Sequence, residues 1–73
     1  REVDFAIVEK NKVLTLIECK VSETQIDDSL KYFSKRFSEA TAVQLVQNLN
    51  SGEGRVIDGI KVLPALDYLK TLV

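Results

Sequence analysis

Two apolar runs set close together at the start of the chain constrain its fold most. Glu2-Val3-Asp4-Phe5-Ala6-Ile7-Val8 and Val13-Leu14-Thr15-Leu16-Ile17-Glu18-Cys19-Lys20 flank the polar link Lys10-Asn11-Lys12. The alternation Leu14, Leu16, Glu18, Lys20 has the period of a strand and argues against a helix. The stretch therefore predicts a β-hairpin, with one strand over Val3–Glu9 and a second over Val13–Lys20. Val, Ile, Leu and Phe occupy both faces, which predicts a central, doubly covered position for the pair.

The register decides what the charged residues do. Side chains alternate faces with period two, and directly opposed residues of an antiparallel pair share a face. A three-residue loop, Lys10–Lys12, sets Glu9 opposite Val13 and Asp4 opposite Glu18. A two-residue loop shifts the pairing by one and sends Asp4 to the other face. The sequence leaves both loops open, and only the first brings the charges together. In that register Asp4, Glu18 and Lys20 lie on one face with Leu14 and Leu16. Val13, Thr15, Ile17 and Cys19 lie on the other. The alternative for Glu18 and Lys20 is a frayed, solvated strand end.

Opposed carboxylates repel, and a divalent cation between them removes the penalty. Mg²⁺ takes oxygen ligands, commonly one or two carboxylates with waters and substrate phosphate. A lysine two residues on, on the same face, reaches a water or a phosphate oxygen there. This is the chemistry of metal-assisted phosphodiester hydrolysis.

Val3-Asp4, a short turn and Glu18-Cys19-Lys20 together resemble the (P)D…(D/E)xK signature of restriction-endonuclease-like nucleases, with Val3 in place of the proline. The wider context is Glu-Val-Asp-Phe to Ile-Glu-Cys-Lys, then a helix, a strand and Gly59-Ile60-Lys61-Val62-Leu63-Pro64-Ala65. It is similar to the C-terminal nuclease-like domain of a group of bacterial and archaeal AAA-type ATPases. The resemblance implies an α/β fold with a restriction-endonuclease-like core: a mixed sheet with a β-hairpin, a crossover helix, further strands and a C-terminal helix. It implies Asp4, Glu18 and Lys20 as catalytic residues. Asp4, Glu18 and the Cys19 backbone carbonyl would hold Mg²⁺ or Mn²⁺, and Lys20 would orient or deprotonate the attacking water. It also implies an ATPase domain in the same longer chain. The helix and strand that precede the hairpin in that family are missing from residues 1–73, so the chain is expected to be a fragment of such a domain. Its first residue, Arg1, points the same way.

Composition bounds the alternatives. A 73-residue chain allows one small domain, burying about 60% of its unfolded surface. The net charge of −1 is unlike that of a dedicated nucleic-acid binder, so DNA binding by the chain alone is expected to be weak. A single cysteine, expected inside a buried strand, permits no internal disulfide and suits a reducing cytosol. Without histidine, ordinary zinc sites are excluded. No apolar run approaches the length of a membrane span, and no signal peptide is expected.

Further along, Thr24 reads as an N-cap with Asp27 three residues on, opening a helix over Gln25–Phe37. Ile26, Leu30, Phe33 and Phe37 form its apolar stripe. Lys31, Lys35 and Arg36 lie off that stripe. They read either as phosphate contacts or, preferably, as a solvated face complementing the helix dipole. Gln25 stands where some related nucleases place a glutamine near the active site, so Gln25, Lys31 and Lys35 are candidate nucleic-acid contacts. A third strand is expected over Thr41–Gln47, with Val43 and Leu45 on one face and Ala42 and Val46 on the other. The crossover should lay the helix on the sheet. Asn48–Arg55 reads as a glycine-containing loop without a phosphate-binding motif. Ile57–Val62 reads as a short edge strand broken at Asp58-Gly59. Pro64 opens a last helix with Leu66, Leu69 and Leu72 or Val73 on its apolar side, and Tyr68 there suits packing.

The function these readings favour is metal-dependent DNA cleavage by a Mg-dependent endodeoxyribonuclease module. Its rival is an inactive nuclease-like domain that serves an AAA-type ATPase as a docking or dimerisation surface, with a homo-oligomer as one form. A bland third reading is a small structural α/β domain.

Overall fold

The computed structural model describes residues 2–71. Its elements are β1 (Phe5–Glu9), β2 (Lys12–Lys20), α1 (Asp28–Arg36), β3 (Thr41–Val46), β4 (Arg55–Ile57), β5 (Ile60–Pro64) and α2 (Ala65–Lys70). The strands form one mixed sheet in the order β1-β2-β3-β5-β4. The outer pairs β1/β2 and β4/β5 are antiparallel, and the inner pairs β2/β3 and β3/β5 are parallel. The protein is a small mixed α/β domain. Among the described residues, no helix is long and apolar enough to cross a membrane.

The first hairpin reaches the expected register by an unexpected route. Lys10 and Asn11 both have positive φ, 51° and 65°, as a two-residue type I′ turn requires. Glu9 pairs with Lys12 rather than Val13. Continued regularly, this turn would set Asp4 opposite Ile17. Instead the pairing steps from Val8↔Val13 to Ile7↔Thr15, leaving Leu14 as an extra residue on β2. The bulge restores the register to Phe5↔Ile17, and one step further sets Asp4 opposite Glu18. Because of the same bulge, Val13 packs with the Leu16 cluster rather than on the Ile17 face.

The main core lies between the sheet and α1. Leu16, Ala42, Val46, Ile60 and Val62 meet Ile26 and Leu30, with Phe33 at the margin. On the other face Ile17, Val43 and Leu45 pack against Leu63, Ala65 and Tyr68. Here α2 packs chiefly against β3 and β5.

That limited cover explains two departures from expectation. β1 is an edge strand exposed at every residue, not a central strand, and Cys19 is exposed rather than buried. Ile60–Pro64 is an interior strand, and Asp58-Gly59 is the turn of a second hairpin with φ of 52° and 79°. Pro64 ends β5 and caps α2, whose Leu66 and Leu69 are exposed. Leu72 and Val73 lie outside the described residues. The helix α1 is shorter than expected. It begins after Asp27, whose carboxylate accepts from the amides of Ser29 and Leu30, and it ends before Phe37. Thr24 is not its cap.

Candidate active site

The bulge and the end of β1 build the site. β1 pairs only as far as Phe5, so the Cys19 amide, directed toward the β1 edge, lacks the next residue of the ladder as partner. The Asp4 carboxylate takes that place, accepting from Cys19 N at 2.9 Å. The Asp4 amide in turn donates to Glu18 Oε1 at 3.2 Å. In an extended strand a residue's N–H and C=O point to the same neighbour. The Cys19 carbonyl therefore also faces the β1 edge, beside Asp4.

Glu18 projects from the opposite side of β2 to Ile17, into the region between the sheet and the start of α1. Its side chain is only 11% exposed. Burial chiefly, then the Asp4 carboxylate and then Asp27, hold its pKa above the ordinary glutamate value. Lys20 Nζ stands 3.5 Å from Glu18 Oε2 and 2.7 Å from Asp27 Oδ1. The hydrogen bond to Asp27 is the main cause raising the Lys20 pKa, so its ammonium stays charged across the neutral range. That same bond is the main cause lowering the Asp27 pKa.

Asp27 and Gln44 also belong to this constellation; the sequence marked Asp27 only as a capping partner of Thr24, and did not mark Gln44. Gln44 lies opposite Glu18 on β3 and is fully buried. Its Oε1 accepts from Asp27 N at 2.9 Å, and its Nε2 donates to the carbonyls of Glu23 (3.1 Å) and Gln25 (2.9 Å). One buried amide thus fixes the whole link between β2 and α1. The signals available were an Asp just before a helical pattern and a lone Gln in an otherwise apolar strand.

The structure therefore gathers Asp4, Glu18, Lys20 and the Cys19 backbone. Gln25 lines a shallow depression with Lys20, Glu23, Ile26, Asp27 and Asp28. Lys31 and Lys35 lie on the exposed surface of α1 with Tyr32 and Arg36, outside that depression. Though Cys19 is exposed, partial desolvation first, then Asp4 and Glu18, push its thiol pKa up, which lowers its thiolate fraction.

Among the described residues, no group of three or more His, Cys, Asp or Glu side chains converges to hold a metal. Two carboxylates and a carbonyl are a donor set for a hard cation that keeps waters and takes further oxygens from a phosphate. The Lys20 ammonium is shared by Glu18 and Asp27, and the Asp4 carboxylate adds further negative charge beside Glu18. No protein-family model, curated protein or solved structure matches the chain.

Proposed function

We propose that this protein is a restriction-endonuclease-like domain that hydrolyses DNA phosphodiester bonds with Mg²⁺ or Mn²⁺. The observation that carries the reading is that, beyond the bulged register, the Asp4 amide donates to Glu18 Oε1 at 3.2 Å and Lys20 Nζ stands 3.5 Å from Glu18 Oε2. Asp4, Glu18 and the Cys19 carbonyl would hold the ion, which supplies Lewis-acid polarisation of a phosphoryl oxygen. Lys20, charged and directed to Glu18, orients the attacking water and offsets charge developing on the phosphate. Its raised pKa makes it a fixed cation and donor rather than a proton acceptor. Gln25, Lys31 and Lys35 would contact the nucleic acid, weakly in a chain of net charge −1. The domain would work in the cytoplasm beside an ATPase domain of a longer chain.

A second reading is an inactive domain that docks or dimerises. It is favoured by the open edge of β1, where Phe5, Ile7 and Val8 are exposed. One experiment separates the two. Mn²⁺ binding by calorimetry and cleavage of duplex and single-stranded DNA are measured for wild type, Asp4→Ala, Glu18→Gln and Lys20→Ala. The nuclease reading expects Asp4→Ala and Glu18→Gln to lose both, and Lys20→Ala to keep binding and lose cleavage. A wild type that binds no divalent ion at millimolar concentration leaves the docking reading in its place.

A further inference from the structure

The geometry points to Asp27 as the positioning residue that holds Lys20 over the site and keeps it from closing on Glu18. This inference rests on the nuclease reading and adds to it a residue outside the D…ExK pattern.

The two oxygens of Asp27 divide their work. Oδ2 caps α1, accepting from Ser29 N at 3.0 Å and Leu30 N at 3.1 Å. Oδ1 is left to accept from Lys20 Nζ at 2.7 Å. The cap fixes the plane of the carboxylate. Gln44 fixes the Asp27 backbone, and Gln44 is itself locked to Glu23 and Gln25. Asp27 is thus anchored to β3 through a buried side chain.

Lysine carries its charge on a flexible four-carbon stem and brings no orientation of its own. Without Asp27, its nearest charged partner is Glu18 Oε2, now 3.5 Å away. A lysine closed onto Glu18 would compete with a cation for that oxygen. It would also lose the position from which it reaches a phosphate. The shorter bond to Asp27 draws the ammonium off Glu18 while holding it within reach of the site.

Because the cap and the lysine contact use different oxygens, they separate experimentally. Asparagine caps helices as well as aspartate does, yet its NH₂ group cannot accept a hydrogen bond from an ammonium. Asp27→Asn therefore keeps the helix and removes the hold on Lys20, whereas Asp27→Glu returns a carboxylate.

The test combines steady-state cleavage of duplex DNA in Mn²⁺ with ¹⁵N NMR of the Lys20 ammonium in the metal-free protein. In wild type, the hydrogen-bonded Nζ protons should exchange slowly enough to be observed. In Asp27→Asn that signal should vanish while the far-UV circular dichroism stays that of wild type and the melting temperature falls only modestly, by the lost Asp27–Lys20 ion pair. kcat should then fall by about 10–100-fold, as for other supporting residues of an active site, with KM for DNA little changed and part of the loss recovered in Asp27→Glu. A Lys20 signal indifferent to Asp27→Asn overturns the inference. So does an active wild type whose Asp27→Asn variant cleaves equally well, and that result leaves the nuclease reading intact. A wild type that cleaves no DNA overturns that reading and the inference with it.

Discussion

Glu18 and Asp27 share one lysine, yet their acidities move in opposite directions. Burial first, and Asp4 second, raise Glu18 above its ordinary 4.5, while the Lys20 hydrogen bond lowers Asp27 below its ordinary 3.8. Linkage gives the two groups opposite signs. Asp27 contributes stability above 3.8 that is lost as pH falls through its lower folded value. Ionised Glu18 opposes folding at neutral pH, and that cost disappears as pH falls through a folded pKa above 4.5. Glu18→Gln should therefore be more stable than wild type at neutral pH, with the gap closing as the solution is acidified toward 4.5. Urea unfolding across a pH series measures the gap, and one that stays constant with pH would show that Glu18 is not strained by ionisation. The three motif residues were legible in the sequence because type and spacing mark them. Gln44 and Asp27 were not, because their value lies in what surrounds them. A buried amide earns its place only through the carbonyls of Glu23 and Gln25 and the Asp27 amide, which the fold brings to it.

The helix α1 carries the main core through Leu30, fully buried, and more weakly through Phe33 at the margin. Phe33 spends part of its ring on neighbours of its own segment. It sits edge-on to Tyr32 at 5.1 Å and is stacked with Phe37 at 6.4 Å. Leu30→Ala should then cost about 2–5 kcal/mol, the range for a fully enclosed leucine. Phe33→Ala should cost only about 2 kcal/mol, since part of its surface is never removed from water. Chemical denaturation of both variants tests the ranking, and a larger loss for Phe33 would place the core elsewhere. Leu30 and Phe33 of the expected stripe could be read by period alone, but Ile26 precedes the helix and Phe37 follows it, exposed. The start could not be read, because Thr24 and Asp27 are both capping residues and tertiary contacts choose between them. The first hairpin shows the same limit. A three-residue loop and a two-residue turn with a bulge give the same pairing at Asp4 and Glu18, and only the second explains Val13. At Asp58-Gly59 the sequence carried a hairpin signal, yet Ile57–Val62 reads as one edge strand broken there, because nothing local shows that β5 is paired on both sides.

Stability across the whole sheet is uneven, and the site straddles the boundary. β3 and β5 are paired on both sides, and β3 is buried along nearly all its length, whereas β1 is paired on one side and exposed throughout. Its apolar composition gave no hint of this, because a run such as Phe5-Ala6-Ile7-Val8 reads the same at an edge as at the centre. An edge strand opens without unfolding the rest, so its amides should exchange far faster than those of β3. Asp4 sits at the end of that labile strand, and Glu18 belongs to β2, held on both sides. A cation held by both carboxylates binds only while β1 is docked, so its binding energy stabilises that local state against opening. At about 100 times the dissociation constant the gain is about 2.7 kcal/mol, or roughly 100-fold slower exchange where opening breaks the site. Hydrogen exchange with and without Mg²⁺ should show this protection across Phe5–Glu9 and not across β4, the opposite edge. Asp4→Ala should erase it while leaving the exchange of β3 unchanged. Equal slowing at both edges would mean that the ion screens charge over the whole surface rather than joining β1 to β2.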